Sequence, residues 1–177
     1  MRKFVTLVLA GVLVVLGLMY YSTQAPTPAP SSTLHHVIHA LPASPLLNQV
    51  GQDYPTVARE DAQMAGISPS LFVRQINEES RFNPNAVSPA GAIGIAQFMP
   101  TTAAGLGVNP WNPYASLQGA ARLMASYVKR YGGDYAKAFA AYNAGSGRVA
   151  YALSRCGVQW RACLPLETQR YISIIMR

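Results

Sequence analysis

The sequence places a carboxylate at the end of an amphipathic helix, directly before a loop rich in glycine, proline and small residues. The acid is Glu79, and the residues after it include Asn83-Pro84, Ala86, Ser88, Gly91-Ala92, Gly94 and Gln97-Phe98-Met99-Pro100. A rigid helix can present such an acid to the floor of a groove. A partly desolvated carboxyl group stays protonated near neutral pH and can donate its proton to a leaving oxygen. The pattern therefore predicts general acid chemistry at position 79.

The helix that carries this acid has readable signals. Ser68 followed by Pro69 predicts its start, with serine as the N-cap and proline at the first helical position. Phe72, Ile76 and Glu79 recur at spacings of four and three residues, so they share one face. Glu79 is thus predicted to lie on the apolar stripe of the helix. On this stripe argument alone, a solvated helix-end acid is about as good an interpretation.

The neighbouring acid, Glu78, has a different prediction. It points about 100° away from Glu79, because an α-helix has about 3.6 residues per turn. It also follows Arg74 by one turn, where a surface ion pair is expected.

The predicted domain lacks the residues that several other classes of enzyme require. The three histidines, at positions 35, 36 and 39, precede the predicted domain, so none remains there to serve a serine or cysteine nucleophile or to bind zinc. Asp134 is predicted to cap a helix, and Glu60 and Asp61 to lie on a polar helix face. Glu167 falls near a helix start, where the dipole favours an acid. A two-carboxylate glycosidase needs a second acid across the scissile bond, and none is obvious.

Four sequence blocks resemble the signatures of one family. They are Glu79-Ser80, the run from Ser88 to Pro100, Ala141 to Gly145, and Glu167-Thr168 with Tyr171. In this order they resemble lytic transglycosylases of the soluble, goose-lysozyme-like type, over roughly residues 50 to 177. One departure is visible: Ile95-Ala96-Gln97 stands where the family usually has Leu-Met-Gln.

The resemblance implies a mainly α, lysozyme-like (goose-type) domain with at most a small β element. It implies that Glu79 is the catalytic acid, that Gln97 lines the cleft, and that Tyr142 and Asn143 lie across from the glutamate. It implies no metal and no cofactor. The expected substrate-binding residues are Ser80, Gln97, Phe98, Met99, Tyr142, Asn143, Glu167 and Tyr171.

The resemblance also implies the reaction. Neutral Glu79 would protonate the β-1,4 glycosidic oxygen between N-acetylmuramic acid and N-acetylglucosamine in peptidoglycan, and the product would be a 1,6-anhydromuramoyl end. Two alternatives stay open. One is a hydrolytic muramidase, because water and the C6 hydroxyl compete for the same intermediate. The other is an inactive lysozyme-like module that binds glycan or scaffolds a secretion or phage machine.

The first residues predict the compartment. Arg2 and Lys3 precede an uncharged apolar run from Phe4 to about Tyr21, long enough to cross a bilayer. We expect residues 1–21 to form an uncleaved signal anchor, because proline, which is a poor residue after a cut, follows the candidate cleavage site. A cleaved signal peptide is the alternative. Residues 22–48 are a Pro/Ser/Ala-rich linker, and residues 49–177 the catalytic domain. The domain is thus expected outside the cytoplasm, anchored in the cytoplasmic membrane, or secreted after cleavage.

The chain from Tyr54 onward predicts a single domain of short helices. Glycines at positions 66, 105, 132 and 145 are predicted to mark helix ends. A small β element is expected near residues 88–95, and the helix at 115–131 is expected to be central. The predicted helices are 55–65, 69–81, 97–104, 115–131, 134–143, 146–155 and 166–176.

Three further features carry expectations. Cys156 and Cys163 favour a disulfide over two reduced thiols, because an extracytoplasmic environment is oxidising. Trp111 and Tyr114 are candidates for stacking on sugars, although core packing is nearly as good an interpretation. The net charge of +7 suits an anionic wall polymer, and no nucleic-acid motif accompanies it. Peptidoglycan, the membrane and proteins of the envelope machinery are the expected partners.

Overall fold

The computed structural model describes residues 53–177, all of which belong to one compact unit. The predicted membrane segment, the linker and the three histidines lie outside the described residues. Within 53–177, none of the helices combines the length and apolar character that a bilayer crossing requires.

The described chain is built from α-helices. The segment between α2 and α3 holds two isolated antiparallel bridges, Val87 with Ile93 and Ile93 with Phe98, and no longer strand occurs within residues 53–177. The mainly α prediction is therefore confirmed, with a minimal β element where one was expected. In chain order the helices are α1 (Tyr54–Met64), α2 (Pro69–Ser80), α3 (Pro100–Leu106), α4 (Pro113–Arg130), α5 (Tyr135–Ala144), α6 (Ser146–Cys156), a 3-10 helix (Gly157–Cys163) and α7 (Leu166–Ile175).

The core lies around α4, which packs against both α1 and α5, while α7 packs against α5 and α2. On α4, the buried side chains recur at helical spacing, as the sequence predicts. They include Leu117, Ala121 and Met124, each at most 1% exposed. The packing of α7 on α2 matters most for function, because it brings the C-terminal helix beside Glu79.

Two helix starts follow their predicted caps. The Ser68 hydroxyl accepts a hydrogen bond from the Leu71 amide, and the Asp134 carboxylate accepts one from the Lys137 amide. Each satisfies an amide that would otherwise lack a partner in the first turn. These caps fix where α2 and α5 begin.

The prediction for α3 was wrong at both ends. The helix begins at Pro100 rather than at 97, because Gln97 has a left-handed φ of 50° and Phe98 is paired with Ile93. It ends at Leu106, before the left-handed cap residue Gly107 with φ of 65°, and Gly105 stays inside the helix. Proline at the first position and glycine in the left-handed cap are the stronger signals.

The predicted ion pair between Arg74 and Glu78 was also wrong. The Arg74 guanidinium instead donates to the carbonyl oxygens of Ile175 and Arg177, at 3.2 and 2.8 Å. An arginine placed N-terminal to a glutamate is the less favourable order on a helix, because it opposes the helix dipole. Arg74 therefore ties α2 to the end of α7.

Gly94 marks a close approach between two loops. Its φ is +74°, and a Cβ atom at this position would lie 2.1 Å from the carbonyl oxygen of Pro110. Only glycine fits there without displacing backbone. The segment before α3 is thereby held against the loop before α4.

The two cysteines, Cys156 and Cys163, form the expected disulfide, which joins the end of α6 to the end of the 3-10 helix. Tyr114 packs edge-on against Tyr54, with ring centroids 5.8 Å apart, and it lies against the hydrophobic core. Trp111 is 52% exposed in the loop before α4.

Asp61 does not lie on a polar face, contrary to prediction. It is 2% exposed, and neither of its carboxyl oxygens has a hydrogen-bond partner among residues 53–177. It shares the buried stripe of α1 with Val57 and Ala62. Burial raises the pKa of Asp61 to about 6, the charge of Glu60 adds to this, and Arg122 opposes it.

We expect Asp61→Asn to stabilise the domain at pH 7.5 but not at pH 4. The raised pKa means that the native state binds more protons than the unfolded state between about pH 4 and 6, so wild-type stability falls as pH rises through this window. Removing the buried charge recovers roughly 1–2 kcal/mol above that window, after allowance for screening. Urea unfolding at both pH values measures it.

Asp53→Asn is the matched control, because Asp53 is exposed at the start of the same helix, makes no side-chain cap hydrogen bond and is not among the charges that shift the Asp61 pKa. An equal effect of Asp61→Asn at pH 4 and pH 7.5 would contradict the assignment of a buried charge.

Candidate active site

A pocket of about 680 Å³ opens where the end of α2 meets α4, α5, α7 and the segment before α3. Its size and its mixture of acids, aromatic rings and amides suit a polar ligand. It is lined by Glu78, Glu79, Ser88, Ala90, Ala92, Gln97, Phe98, Met99, Thr102, Leu123, Tyr127, Ala141, Tyr142, Asn143, Gly145, Glu167, Arg170, Tyr171 and Ile174.

Glu79 projects into this pocket from the last turn of α2 and is half-buried. The helix ends directly after it, because Arg81 and Phe82 both adopt left-handed backbone angles, with φ of 54° and 61°. On one side, the hydroxyl group of Tyr171 donates a hydrogen bond to Glu79 Oε1. The carboxyl group is thus held by α7 while it faces the pocket.

Burial raises the pKa of Glu79 to about 8. The hydrogen bond from Tyr171 opposes this shift, since it favours the carboxylate, and the charges of Glu78 and Glu167 add to it. At neutral pH the carboxyl group is therefore mostly protonated. A protonated carboxyl group in a pocket is a general acid.

Two tyrosines flank the acid. Burial, with the charge of Glu79, raises the pKa of both Tyr142 and Tyr171 well above the ordinary value, so both remain neutral hydrogen-bond donors. The Tyr142 hydroxyl donates to the carbonyl oxygen of Ala96 at 2.9 Å, and its ring packs against Phe98. Tyr142 thus joins α5 to the segment before α3.

The orientation of Asn143 is set by Thr168, which is buried on α7. The Thr168 hydroxyl donates to Asn143 Oδ1 at 2.8 Å. Because the amide oxygen is used in this bond, the Asn143 NH₂ group is the part left to act as a donor. Asn143 is exposed on the pocket wall, where this donor can meet a ligand oxygen.

Gln97 and Met99 line the pocket from the segment before α3. Gln97 Nε2 donates to the carbonyl oxygens of Gly94 and Ala86, at 2.9 and 3.3 Å, so the side chain also braces its own loop. Met99 is 42% exposed and forms part of the rim.

Two residues predicted to bind substrate have mainly structural contacts. Ser80 does not line the pocket, and its hydroxyl donates to the carbonyl oxygen of Ile95 at 2.6 Å. Phe98 reaches the pocket but is 2% exposed and belongs to the core. Both side chains position the loop beside Glu79.

The pocket also contains residues that the sequence analysis did not select for the site. Glu78 lies on the pocket wall with Glu79, although it is exposed. Arg170 joins Glu167 and Tyr171 from α7, and Tyr127 comes from α4. The signal for Arg170 was present, because positions 167, 170, 171 and 174 share one helical face.

Within residues 53–177, no cluster of three or more histidine, cysteine or acidic side chains is arranged to hold a metal ion.

Residues 56–159, more than half of the chain, match the family model described as the transglycosylase SLT domain. The chain belongs to this family. The resemblance to this family is thus confirmed: three of the four sequence blocks lie within the match, and Glu167, Thr168 and Tyr171 lie beyond it.

Similar relatives include a phage protein and a bacterial one. Peptidoglycan transglycosylase gp16 of Escherichia phage T7 is 35% identical over 108 residues, covering 56% of this chain and 8% of the phage protein. Membrane-bound lytic murein transglycosylase D of Escherichia coli is 35% identical over 107 residues, covering 53% of this chain and 24% of that protein.

Solved structures show the same fold. The 70 kDa soluble lytic transglycosylase Slt70 from Escherichia coli superposes with a TM-score of 0.63 at 25% identity, covering 70% of this chain and 23% of that one. An inactive mutant of lytic transglycosylase Slt from Pseudomonas aeruginosa gives 0.60 at 24% identity, covering 68% and 22%. The chain therefore spans at most about a quarter of the length of these four relatives.

We expect Tyr171→Phe to raise the pKa of Glu79 above its wild-type value of about 8. The hydrogen bond from Tyr171 stabilises the Glu79 carboxylate. Its removal therefore favours the protonated form and raises the Glu79 pKa by about one unit. Titration of the Glu79 carboxyl carbon by ¹³C NMR measures both values directly.

Tyr135→Phe is the matched control, because the Tyr135 hydroxyl accepts from the Ser68 amide rather than contacting Glu79. An unchanged Glu79 pKa in Tyr171→Phe, or a wild-type value below 5, would contradict this account of the site.

Proposed function

We propose that this protein cleaves the β-1,4 bond between N-acetylmuramic acid and N-acetylglucosamine in peptidoglycan, with Glu79 as its one catalytic acid. The observation that carries the proposal is the half-buried Glu79 carboxyl group, protonated at neutral pH and facing a pocket of about 680 Å³. Membership of the transglycosylase SLT family supports the substrate class.

The first step breaks the glycosidic bond. Protonated Glu79 gives its proton to the glycosidic oxygen, which leaves as the hydroxyl group of N-acetylglucosamine. Positive charge develops at C1 of the muramoyl sugar, where the carbonyl oxygen of the 2-acetamido group supports it. The Asn143 NH₂ group, oriented by Thr168, is a donor suited to hold an acetamido oxygen in place.

The second step closes the muramoyl sugar on itself. Glu79, now a carboxylate, takes the proton from the C6 hydroxyl group, whose oxygen attacks C1 and forms the 1,6-anhydro bond. The proton count balances, because Glu79 ends protonated as it began. The Tyr171 hydroxyl group stabilises the carboxylate between the two steps by donating to Oε1.

One observation keeps a hydrolytic muramidase as the second candidate. The pocket contains Glu78 and Glu167 as well as Glu79, so further carboxylates are available near the acid. Both are exposed, and neither belongs to a salt bridge among residues 53–177. An exposed, solvated acid gains little from the protein in activating a water molecule, which favours cyclisation through Glu79.

An inactive binding module is the weaker alternative. Such a module has no use for a carboxyl group that is desolvated and kept protonated, because this arrangement costs stability. The hydrogen bond from Tyr171 to Glu79 stabilises a carboxylate, which a reacting acid forms when it gives up its proton and a binding surface does not need.

The proposed setting is extracytoplasmic. Peptidoglycan lies beyond the cytoplasmic membrane, and residues 1–21 and 22–48 remain a predicted anchor and linker. Relatives named membrane-bound lytic murein transglycosylases include D from Escherichia coli and C from Actinobacillus pleuropneumoniae. Partners in the envelope machinery remain part of the proposal.

We expect Glu79→Gln to lower the cleavage rate by a factor of about 10² to 10⁴, because a neutral amide cannot supply the proton. Purified peptidoglycan digested with wild-type protein is expected to give 1,6-anhydromuramoyl ends by mass spectrometry. Glu60→Gln is the matched control and should retain full activity, because Glu60 is exposed on α1 and does not line the pocket.

The outcomes separate the candidates. Hydrated reducing ends would replace the cyclising reaction with hydrolysis. Equal wall clearing by wild type and Glu79→Gln would remove Glu79 from its role, and loss of activity in Glu78→Gln alone would assign the role to its neighbour.

A further inference from the structure

A second polar side chain is buried one turn before Glu79 on α2. Gln75 is 0% exposed, and neither its Oε1 nor its Nε2 has a hydrogen-bond partner among residues 53–177. A buried amide without a partner costs roughly 1–3 kcal/mol. Since Ser68 already caps α2 and apolar side chains fill its core face, packing alone does not call for an amide at position 75.

The position of Gln75 points toward the acid. Residues four apart on a helix share a face, so Gln75 and Glu79 lie one above the other. Helix α7 packs against α2 and supplies Tyr171, whose hydroxyl group reaches Glu79 Oε1. The Gln75 amide is thus buried beneath the pair that Tyr171 and Glu79 form.

The amide and the phenol influence each other. Burial, the charge of Glu79 and the hydrogen bond to Glu79 all raise the pKa of Tyr171, and interaction with the Gln75 side chain opposes them. That direction fits an amide N–H directed at the Tyr171 oxygen. The two groups fall short of full hydrogen-bond geometry here. A small rotation of the terminal amide, whose torsion has a broad minimum, adjusts that geometry.

We propose that Gln75 is a positioning residue, whose buried amide N–H holds the Tyr171 oxygen so that the Tyr171 hydroxyl group stays directed at the Glu79 carboxylate. The inference rests on the proposed function, in which Glu79 is first an acid and then a base.

An amide suits this task because its NH₂ group is a hydrogen-bond donor. When Glu79 is a carboxylate, Tyr171 donates to it, and the free lone pair of the phenol oxygen accepts from Gln75 Nε2. An apolar side chain at position 75 would leave that lone pair without a donor.

The test is a double-mutant cycle with Gln75→Met and Tyr171→Phe, applied to the full chain. Methionine keeps the length and flexibility of glutamine without its hydrogen-bonding groups. We expect Gln75→Met to raise the Glu79 pKa by about half a unit, because Tyr171 becomes a weaker donor. We expect kcat on peptidoglycan to fall roughly tenfold at unchanged KM, because the acid is less well oriented.

The cycle separates positioning from a structural role. If Gln75 acts through Tyr171, then Gln75→Met changes neither the Glu79 pKa nor kcat further in the Tyr171→Phe background. Thermal stability of Gln75→Met should stay close to that of the wild type, because methionine fills nearly the same buried volume and the Tyr171 hydroxyl group keeps Glu79 as its partner. The control is Gln118→Met, since Gln118 is exposed and bonded to Arg122 on α4.

Additive effects of the two variants, or an unchanged Glu79 pKa in Gln75→Met, would overturn the proposal. The pKa measurement by NMR requires no activity. If coupling between Gln75 and Tyr171 is found while Glu79→Gln remains active, the positioning contact stands and the proposed function fails.

Discussion

The site depends on one contact between two helices, the hydrogen bond that Tyr171 of α7 donates to Glu79 of α2. Burial alone would oppose proton transfer from Glu79, because the carboxylate that remains would have no hydrogen-bond partner. The phenol supplies that partner without adding charge of its own. The packing of α7 on α2, reinforced where Arg74 binds the last carbonyl groups of the chain, holds the pair together. The packing of these two helices therefore determines the environment of the Glu79 carboxyl group.

The electrostatic balance around the acid has two opposing parts. Glu78 and Glu167 surround Glu79 with negative charge, which favours keeping its proton, while Tyr171 favours releasing it. In the proposed reaction Glu79 first gives a proton and then recovers it, and such a group works best between these limits. The exposed acids Glu78 and Glu167 raise the Glu79 pKa through their charges, and the buried Tyr171 lowers it through a direct hydrogen bond. Substitutions at the exposed acids and at the buried tyrosine can thus change the Glu79 pKa independently.

Local signals in the sequence predicted much of this molecule. The stripe shared by Phe72, Ile76 and Glu79 located α2 and its acid, because helix periodicity is written directly in the chain. Asp61 escaped prediction because three consecutive charged residues suggest a solvated face, and only tertiary packing of α1 shows that one of them is buried. The partner of Arg74 also escaped, since it lies about a hundred residues away. Contacts between distant segments leave no periodic trace.

The approach of Gly94 to Pro110 has a consequence for how this domain can vary. The loop that forms one wall of the site rests on the backbone that leads into α4, without a side chain as a spacer. Because the contact is between backbones, a displacement of either loop would strain the other. A substitution at position 94 would therefore disturb the entry to α4 as well as the wall of the site, although fifteen residues separate Gly94 from Pro110.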